Sequence, residues 1–350
     1  MDTVTHGIAG AVFSRTLAAR PGARAALLFG LVAAMLPDID FLFFSDRVEY
    51  LRGHRGWTHS FLLLPLFTLL LAFTAKLFFR HAPLARLWLF SAVGLLSHIL
   101  FDWITSFGTM FFTPLDRTRY SLDWVFILDP IFTGIVAVSL LAASVFRAKG
   151  RVIAAAGALT LLTYLGLCAV LHARALAAWR SMDDPPPGAR VAALPQFLSP
   201  FRWLGLAEYD GEVHAAFFDI GPFARGMGEP KPPTRLAEVL ASLSDFYPPP
   251  DRARIRRYSK ASGSEALAAA RSLPEVGVYL EFARFPLATV APEPDGGASV
   301  TFQDLRFLPW FTGPWEREKG MRYRRQPFVY RVRLDRSGRP VEMGFVRDSG

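Results

Sequence analysis

Six apolar runs fill the first half of the chain: Thr5–Ala19, Ala25–Phe44, Ser60–Phe79, Leu87–Thr105, Trp124–Phe146 and Val152–Leu171. A bilayer core demands about 20 consecutive apolar residues per helix, and in lipid each helix must satisfy its own backbone polar groups. The runs therefore predict an α-helical polytopic membrane domain of about six segments, the first being the shortest. That first run lacks a basic flank and is preceded by Asp2, which argues against a cleaved leader. From residue 181 onward the chain is charged and rich in Pro and Gly, so its 52% hydrophobic content averages two unlike halves.

Charge gives the membrane half an orientation. Three short connections carry only positive charge: Arg20 and Arg24; Arg80 and Arg86; Arg147, Lys149 and Arg151. The positive-inside rule places them in the cytoplasm, and the N-terminus and the tail then face outward. All nine acids of the membrane half (Asp2, Asp38, Asp40, Asp46, Glu49, Asp102, Asp116, Asp123 and Asp129) fall at or near the outer face. So do His6, His54, His59 and His98. The net charge of +9 comes mostly from this half, with 16 Lys/Arg against 9 Asp/Glu, while the tail has 23 against 21. That distribution reads as membrane topology rather than a nucleic-acid footprint, and no nucleic-acid partner is expected. Cys168 is the single cysteine, so there is no disulfide framework.

The segregated acids and histidines carry the chemistry. Pro37 disfavours helix for the residue before it, so the second run is expected to end there. In an extended Asp38-Ile39-Asp40 segment both carboxylates point to one side. His54 and His59 straddle Arg55-Gly56-Trp57, with Thr58 as the expected N-cap of the third span. His98 and Asp102 are spaced four apart and share one helix face. Ionisable groups inside a membrane helix need partners, and a metal satisfies imidazole and carboxylate together. His6 opens the first run at the same level. Imidazole plus carboxylate suits Zn, Mn or Fe better than Mg or Ca. Of Asp38 and Asp40, one can ligate while the other orients a ligand or accepts a proton. Arg52 and Arg55 are placed to hold an anionic substrate group, or simply face the headgroups. Asp129 is expected to support the site indirectly or to pair with an arginine such as Arg119.

Residues 1–178 are expected to form the membrane domain and 179–192 a Pro-rich linker. Residues 193–350 are expected to form a smaller, extracytoplasmic α+β domain with an antiparallel sheet. Asp210-Gly211 marks a hairpin turn inside FRWLGLAEYDGEVHAAFFDI. Segments 234–246 and 264–273 read as helices, the second capped by Ser264. GVYLEFARF, ASVTFQDLRFL, QPFVYRVRLD and RPVEMGFV read as strands.

The motifs THGIAGA (5–11), LPDIDFL (36–42), HRGWTHS (54–60) and HILFDWITSFGT (98–109) together resemble the YdjM-like, LexA-regulated family of inner-membrane proteins assigned as metal-dependent hydrolases. SLDWVFILDPIF (121–132) looks like its longer members, which add a soluble tail. The resemblance covers about residues 1–175. It implies a membrane-bound hydrolase with a divalent metal, zinc before manganese or iron, and no settled substrate. Carried onto this chain, it makes His6, Asp38, Asp40, His54, His59, His98 and Asp102 the site; within it Asp38 and His59 are expected as catalytic groups and His6, Asp40, His54, His98 and Asp102 as ligands. A weaker likeness is to zinc-dependent phospholipase C. The Asp40–His54 interval and the His98-x-x-x-Asp102 spacing are similar to part of its pattern. Its later histidine and glutamate ligands have no counterpart in residues 103–180, which favours one or two metals over three.

The expected function is hydrolysis of an ester, a phosphoester before others, in a lipid-like or small anionic substrate at the outer interface of a bacterial-type inner membrane. The rivals are a non-enzymatic ion- or metal-handling protein and a membrane-anchored scaffold. The cytoplasmic halves of the runs carry no acid, so the polar groups form a one-sided site rather than a path through the bilayer. The sequence does not set the oligomeric state.

Overall fold

The computed structural model describes residues 1–18, 23–222, 246–308 and 327–346. The helix expected over 234–246 lies almost wholly outside them. The described residues separate into two compact units, Met1–Val170 and Leu171–Gly350.

The first unit is helical. Its α-helices are α1 (Thr3–Leu17), α2 (Ala23–Met35), α3 (Arg47–Gly53), α4 (Leu64–Phe78), α5 (Leu84–Trp103), α6 (Pro130–Val145) and the start of α7 (Gly150–Asp183). Short 3-10 turns follow α2 (Leu36–Phe43) and precede α4 (Trp57–His59). Among the described residues, three helical stretches are long and apolar enough to cross a bilayer alone: Arg24–Phe43, Leu84–Trp103 and Gly150–Asp183. Arg47–His59 and Leu64–Phe78, bent by 75°, make a fourth if taken as one span. Among the described residues there are thus three or up to four candidate spans, where six segments were expected. The reason is length: α1 has 15 residues and α6 has 16, about 22–24 Å at 1.5 Å per residue, against a core of about 30 Å. The fifth run loses its first part because Asp129 caps α6 and Pro130 begins it. Thr58 caps no helix, since α4 starts only at Leu64.

Small residues set the helix packing. A Cβ on Gly10 would lie 2.4 Å from both the Ala34 Cβ and the Gly30 carbonyl oxygen. A Cβ on Gly94 would lie 2.6 Å from the Ala33 Cβ and 2.9 Å from the Gly30 oxygen. Helices α1, α2 and α5 therefore meet almost backbone to backbone, as small residues permit in membrane bundles.

In the second unit the end of α7 is joined by two four-stranded antiparallel meanders. The first is β1 (Arg190–Gln196), β2 (Ser199–Tyr209), β3 (Glu212–Asp219) and β4 (Arg256–Ser259). The second is β5 (Pro286–Pro292), β6 (Ala298–Asp304), β7 (Tyr330–Leu334) and β8 (Pro340–Phe345). Two helices lie between them in sequence, α8 (Glu265–Arg271), capped by Ser264, and α9 (Pro274–Phe282). The β2–β3 turn has Asp210 and Gly211 both at positive φ, 50° and 75°, the type I′ pattern expected of Asp-Gly. One face of the first sheet packs Leu194, Leu204 and Leu206 on Phe285, Leu287 and Leu305. The other packs Trp203 and Phe218 on Ala175 and Trp179 of α7. GVYLEFARF is a helix over most of its length, not a strand. Pro274 opens that helix, and Val276, Tyr279 and Phe282 recur on its buried face.

Candidate metal centre

Four side chains from three parts of the first unit meet at one point. Asp38 comes from the 3-10 turn after α2, His59 from the turn before α4, and His98 and Asp102 from the last turns of α5. One potential ligand atom from each lies within 4.8 Å of the others, and all four residues are buried. The individual contacts are short. His98 Nε2 is 3.0 Å from His59 Nε2, 3.4 Å from Asp38 Oδ1 and 3.4 Å from Asp102 Oδ2. His59 Nε2 is 3.1 Å from Asp102 Oδ2 and 3.9 Å from Asp38 Oδ1.

The outer partners assign the tautomers. His98 Nδ1 donates to the Ala34 carbonyl at 2.6 Å. The Thr58 hydroxyl donates to Asp40 Oδ2 at 3.1 Å, so its oxygen accepts from His59 Nδ1 at 2.9 Å. With both Nδ1 atoms acting as donors, the neutral imidazoles present lone pairs at Nε2. Two imidazole lone pairs and two carboxylate oxygens then face one another, and Asp102 Oδ2 makes no hydrogen bond although it is buried. Four such acceptors repel unless a metal cation, or a proton shared across the 3.0 Å His98–His59 contact, lies among them. Two nitrogens and two carboxylate oxygens form a group that could hold a metal ion. Orienting a ligating histidine through its far nitrogen is the usual outer arrangement of metal sites.

Asp40 and His54 stand beside this set rather than in it. Asp40 Oδ1 accepts from His54 Nδ1 at 2.7 Å, and its Oδ2 takes the Thr58 hydroxyl and the Arg55 amide at 3.3 Å. The His54 ring stacks on Tyr50 with centroids 4.5 Å apart and lies 5.8 Å from the His59 ring. Asp38-Ile39-Asp40 is not extended but 3-10, and both carboxylates are nonetheless buried while Ile39 is exposed. His6 also stands outside the four. Its ring stacks on His98 at 3.8 Å, and its Nε2 donates to Asp102 Oδ1 at 3.0 Å.

The arginines divide. Arg55 is buried, and its Nη2 is 2.8 Å from Asp102 Oδ1, an oxygen that also lies 2.5 Å from the Met1 amino nitrogen. Its Nη1 reaches Thr105 Oγ1 at 3.0 Å, so it does not reach outward to a substrate. Arg52 is exposed, and its carbonyl takes a hydrogen bond from Arg117. Asp129 is an N-cap: Oδ1 accepts from the Ile131 and Phe132 amides, each at 2.8 Å, and Oδ2 from Tyr164 at 2.7 Å. Arg119 bonds the carbonyls of Leu51, His54 and Gly108 rather than Asp129.

Sequence reasoning missed three contributors. The Thr3 hydroxyl donates to Asp38 Oδ2 at 2.7 Å, Thr58 links Asp40 to His59, and the Ala34 carbonyl orients His98. Of these only Thr58, inside HRGWTHS, lay in a motif that drew attention.

Helices of membrane-crossing length around a buried pair of aspartates and a pair of histidines define a polytopic membrane protein with a cation-competent centre. The chain belongs to the YdjM inner membrane protein family, whose profile matches residues 1–175. It is 43% identical over 103 residues to "Inner membrane protein YbcI" of Escherichia coli strain K12, a match covering 28% of this chain and 59% of that protein. It is 28% identical over 138 residues to "Uncharacterized protein YfhP" of Bacillus subtilis strain 168, covering 37% and 42% respectively. The chain thus spans about half the length of the curated relatives it matches. No solved structure matches it.

Proposed function

We propose that the chain is a membrane-bound, metal-dependent hydrolase. In this reading it cleaves an ester, a phosphoester before others, in a lipid-like substrate at the outer face of the inner membrane. The observation that carries the reading is the set of four acceptor atoms turned toward one point, with an Asp–His pair beside them. Asp38, His59, His98 and Asp102 hold the ion, zinc in preference to manganese or iron. This reading moves Asp38 and His59 from the catalytic role to the ligand role, and Asp40 and His54 the other way.

A bound divalent ion supplies an acidified water and polarises an ester or phosphoryl oxygen. Asp40 holds His54 through Nδ1, so Nε2 is the atom that takes a proton from the attacking water and returns it to the leaving oxygen. Thr3 steadies Asp38 at Oδ2. Arg55 is committed to Asp102, which makes exposed Arg52 the cation for an anionic substrate group. The all-basic connections favour the cytoplasm by charge, and on that reading the site and the tail face outward.

The test uses detergent-solubilised full-length protein loaded with Zn²⁺ and assayed on phospholipid mixed micelles and on a chromogenic phosphodiester. His54→Ala should keep its metal and lose turnover by about 10²-fold or more, the range of a general base. Wild-type protein that stays metal-free after repletion sinks the reading. A second reading, a non-enzymatic ion-handling protein, draws on the full burial of His59, His98 and Asp102, each 0% exposed. It predicts bound metal with no turnover of any ester.

A further inference from the structure

The two oxygens of Asp102 face different chemistry. Oδ2 belongs to the four converging acceptors, whereas Oδ1 accepts from the Met1 ammonium at 2.5 Å, from Arg55 Nη2 at 2.8 Å and from His6 Nε2 at 3.0 Å. A carboxylate with one oxygen on each of two metals is the usual bridge of a two-metal centre, in which the ions lie about 3.5–4 Å apart. We propose that the Arg55 guanidinium takes the part of the second cation on Asp102, so that the centre holds a single divalent ion. The inference rests on the reading that Asp38, His59, His98 and Asp102 bind metal, and it concerns how many ions they bind.

Arg55 is fixed in this position from several sides. Its Nη1 bonds Thr105 Oγ1 at 3.0 Å, its backbone amide bonds Asp40 Oδ2 at 3.3 Å, and its guanidinium lies 4.8 Å from the Phe107 ring centroid. Its carbonyl accepts the Met110 amide at 2.9 Å. The residue adopts φ 60°, a left-handed conformation that non-glycine residues rarely occupy. Such a conformation persists only where the surroundings over-determine it. An arginine so held is a permanent cation, because its guanidinium does not deprotonate in proteins.

Charge decides between one ion and two. The three buried carboxylates here, Asp38, Asp40 and Asp102, carry three negative charges. The Arg55 guanidinium and the Met1 ammonium, both on Asp102 Oδ1, already supply two positive charges, so a single divalent ion more than balances them. A second divalent ion would leave buried positive charge without a partner, which is strongly unfavourable. His6 adds no ligand on this side, since the nitrogen facing Asp102 is the one that donates a proton to it. Its role is to position Asp102 through that bond and His98 through stacking.

Stoichiometry tests the proposal without recourse to activity. Full-length protein in detergent is dialysed to equilibrium against excess Zn²⁺, washed and analysed for metal per chain. About one ion per chain is expected for the wild type and for His6→Ala. Two ions in the wild type, falling to one in His6→Ala, would overturn the single-ion assignment and leave the metal reading intact. None in the wild type removes the metal reading and the proposal with it. Loading the wild type with Mn²⁺ gives a second readout that needs no variant to fold. The expected electron paramagnetic spectrum is that of an isolated ion, and an exchange-coupled pair would overturn the proposal.

Discussion

Each unit of the molecule contains a buried cluster of histidine and carboxylate, yet the two clusters are built on opposite principles. In the membrane unit, Asp38, His59, His98 and Asp102 bring potential ligand atoms within 4.8 Å of one another. In the second unit, His214 lies between carboxylates. Its Nδ1 is 2.7 Å from Asp183 Oδ1 and 2.6 Å from the Tyr209 hydroxyl, and its Nε2 is 3.3 Å from Glu212 Oε2. Ser259 closes this network by donating to Glu212 Oε1 at 2.8 Å. There each ring nitrogen meets its own carboxylate, and the carboxylates lie on opposite sides of the ring, so they cannot share an ion. Residue types are nearly the same in the two places. What separates a cation site from a structural tie is whether the lone pairs converge or are each met by a proton.

The sharpest way to break this contrast is to remove the residue that serves both sides of the membrane cluster. Asp102→Ala should reduce bound metal to background and destabilise the protein by about 3–5 kcal/mol, because Arg55 would be left as a buried, unpaired charge. Metal analysis and the thermal midpoint in detergent read the two effects separately. Retention of metal in this variant would mean that the acceptors do not form a cation site. A smaller loss is expected from Gly94→Ala, which touches no ligand. Its Cβ would meet the Ala33 Cβ and the backbone of Gly30 and Ala34, none of which can yield easily. Gly94, His98 and Asp102 follow one another at intervals of four on α5, so pushing α5 from α2 also moves His98 from the Ala34 carbonyl. A cost of about 1–3 kcal/mol for overpacking, with weaker metal binding, is the expected result. Unchanged affinity would show that backbone contact does not tune the site.

The sequence carried some of this and not the rest. The four-residue spacing of His98 and Asp102 was legible because a long apolar run leaves no doubt about helical periodicity. The division of labour between Asp38 and Asp40 was not. It depends on a 3-10 turn in place of an extended segment, and on which carboxylate the Thr58 hydroxyl and the Arg55 amide reach. Neither is a property of spacing. Counting spans by apolar runs gave too many, because a run includes residues that the fold uses as caps and loops. Asp129 is the clear case: an acid inside an apolar run looked costly, but its carboxylate is met by two amides and a phenol. GVYLEFARF misled in the other direction, its alternating apolar residues masking a helix that Pro274 begins.

The second cluster offers the next test, since it should matter for stability alone. Asp183→Asn weakens the link to His214 and should cost about 1–3 kcal/mol, the range for impairing a buried hydrogen bond, with bound metal unchanged. Loss of metal would end the distinction between the two clusters. Acid should act in the same sense. Hydrogen bonds from Ser259 and then His214 hold Glu212 below the usual carboxylate range. A carboxylate whose folded-state pKa is depressed stabilises the protein above its unfolded pKa, and that contribution disappears as pH falls through the folded value. The melting temperature of Glu212→Gln should therefore fall less between neutral and acid pH than that of the wild type. An equal fall in both would remove Glu212 from the network.

The smallest effects are expected at Arg52, and they separate substrate binding from everything else the HRGWTHS region does. Arg55, three residues on, is buried against Asp102, whereas Arg52 is exposed and its carbonyl accepts a hydrogen bond from Arg117. An exposed side chain of this kind changes stability by less than about 0.5 kcal/mol when truncated, so Arg52→Ala should leave the thermal midpoint and the metal content where they are. If the guanidinium holds an anionic substrate group through one charge-assisted bond worth about 1.5 kcal/mol, the Michaelis constant for a phosphodiester should rise roughly tenfold. The turnover number should stay constant, because the bond is made equally in ground and transition states. The same variant assayed on an uncharged ester should behave as wild type. A parallel loss on both substrates would make Arg52 a structural part of the loop, and the anionic end of the substrate would have to be sought elsewhere.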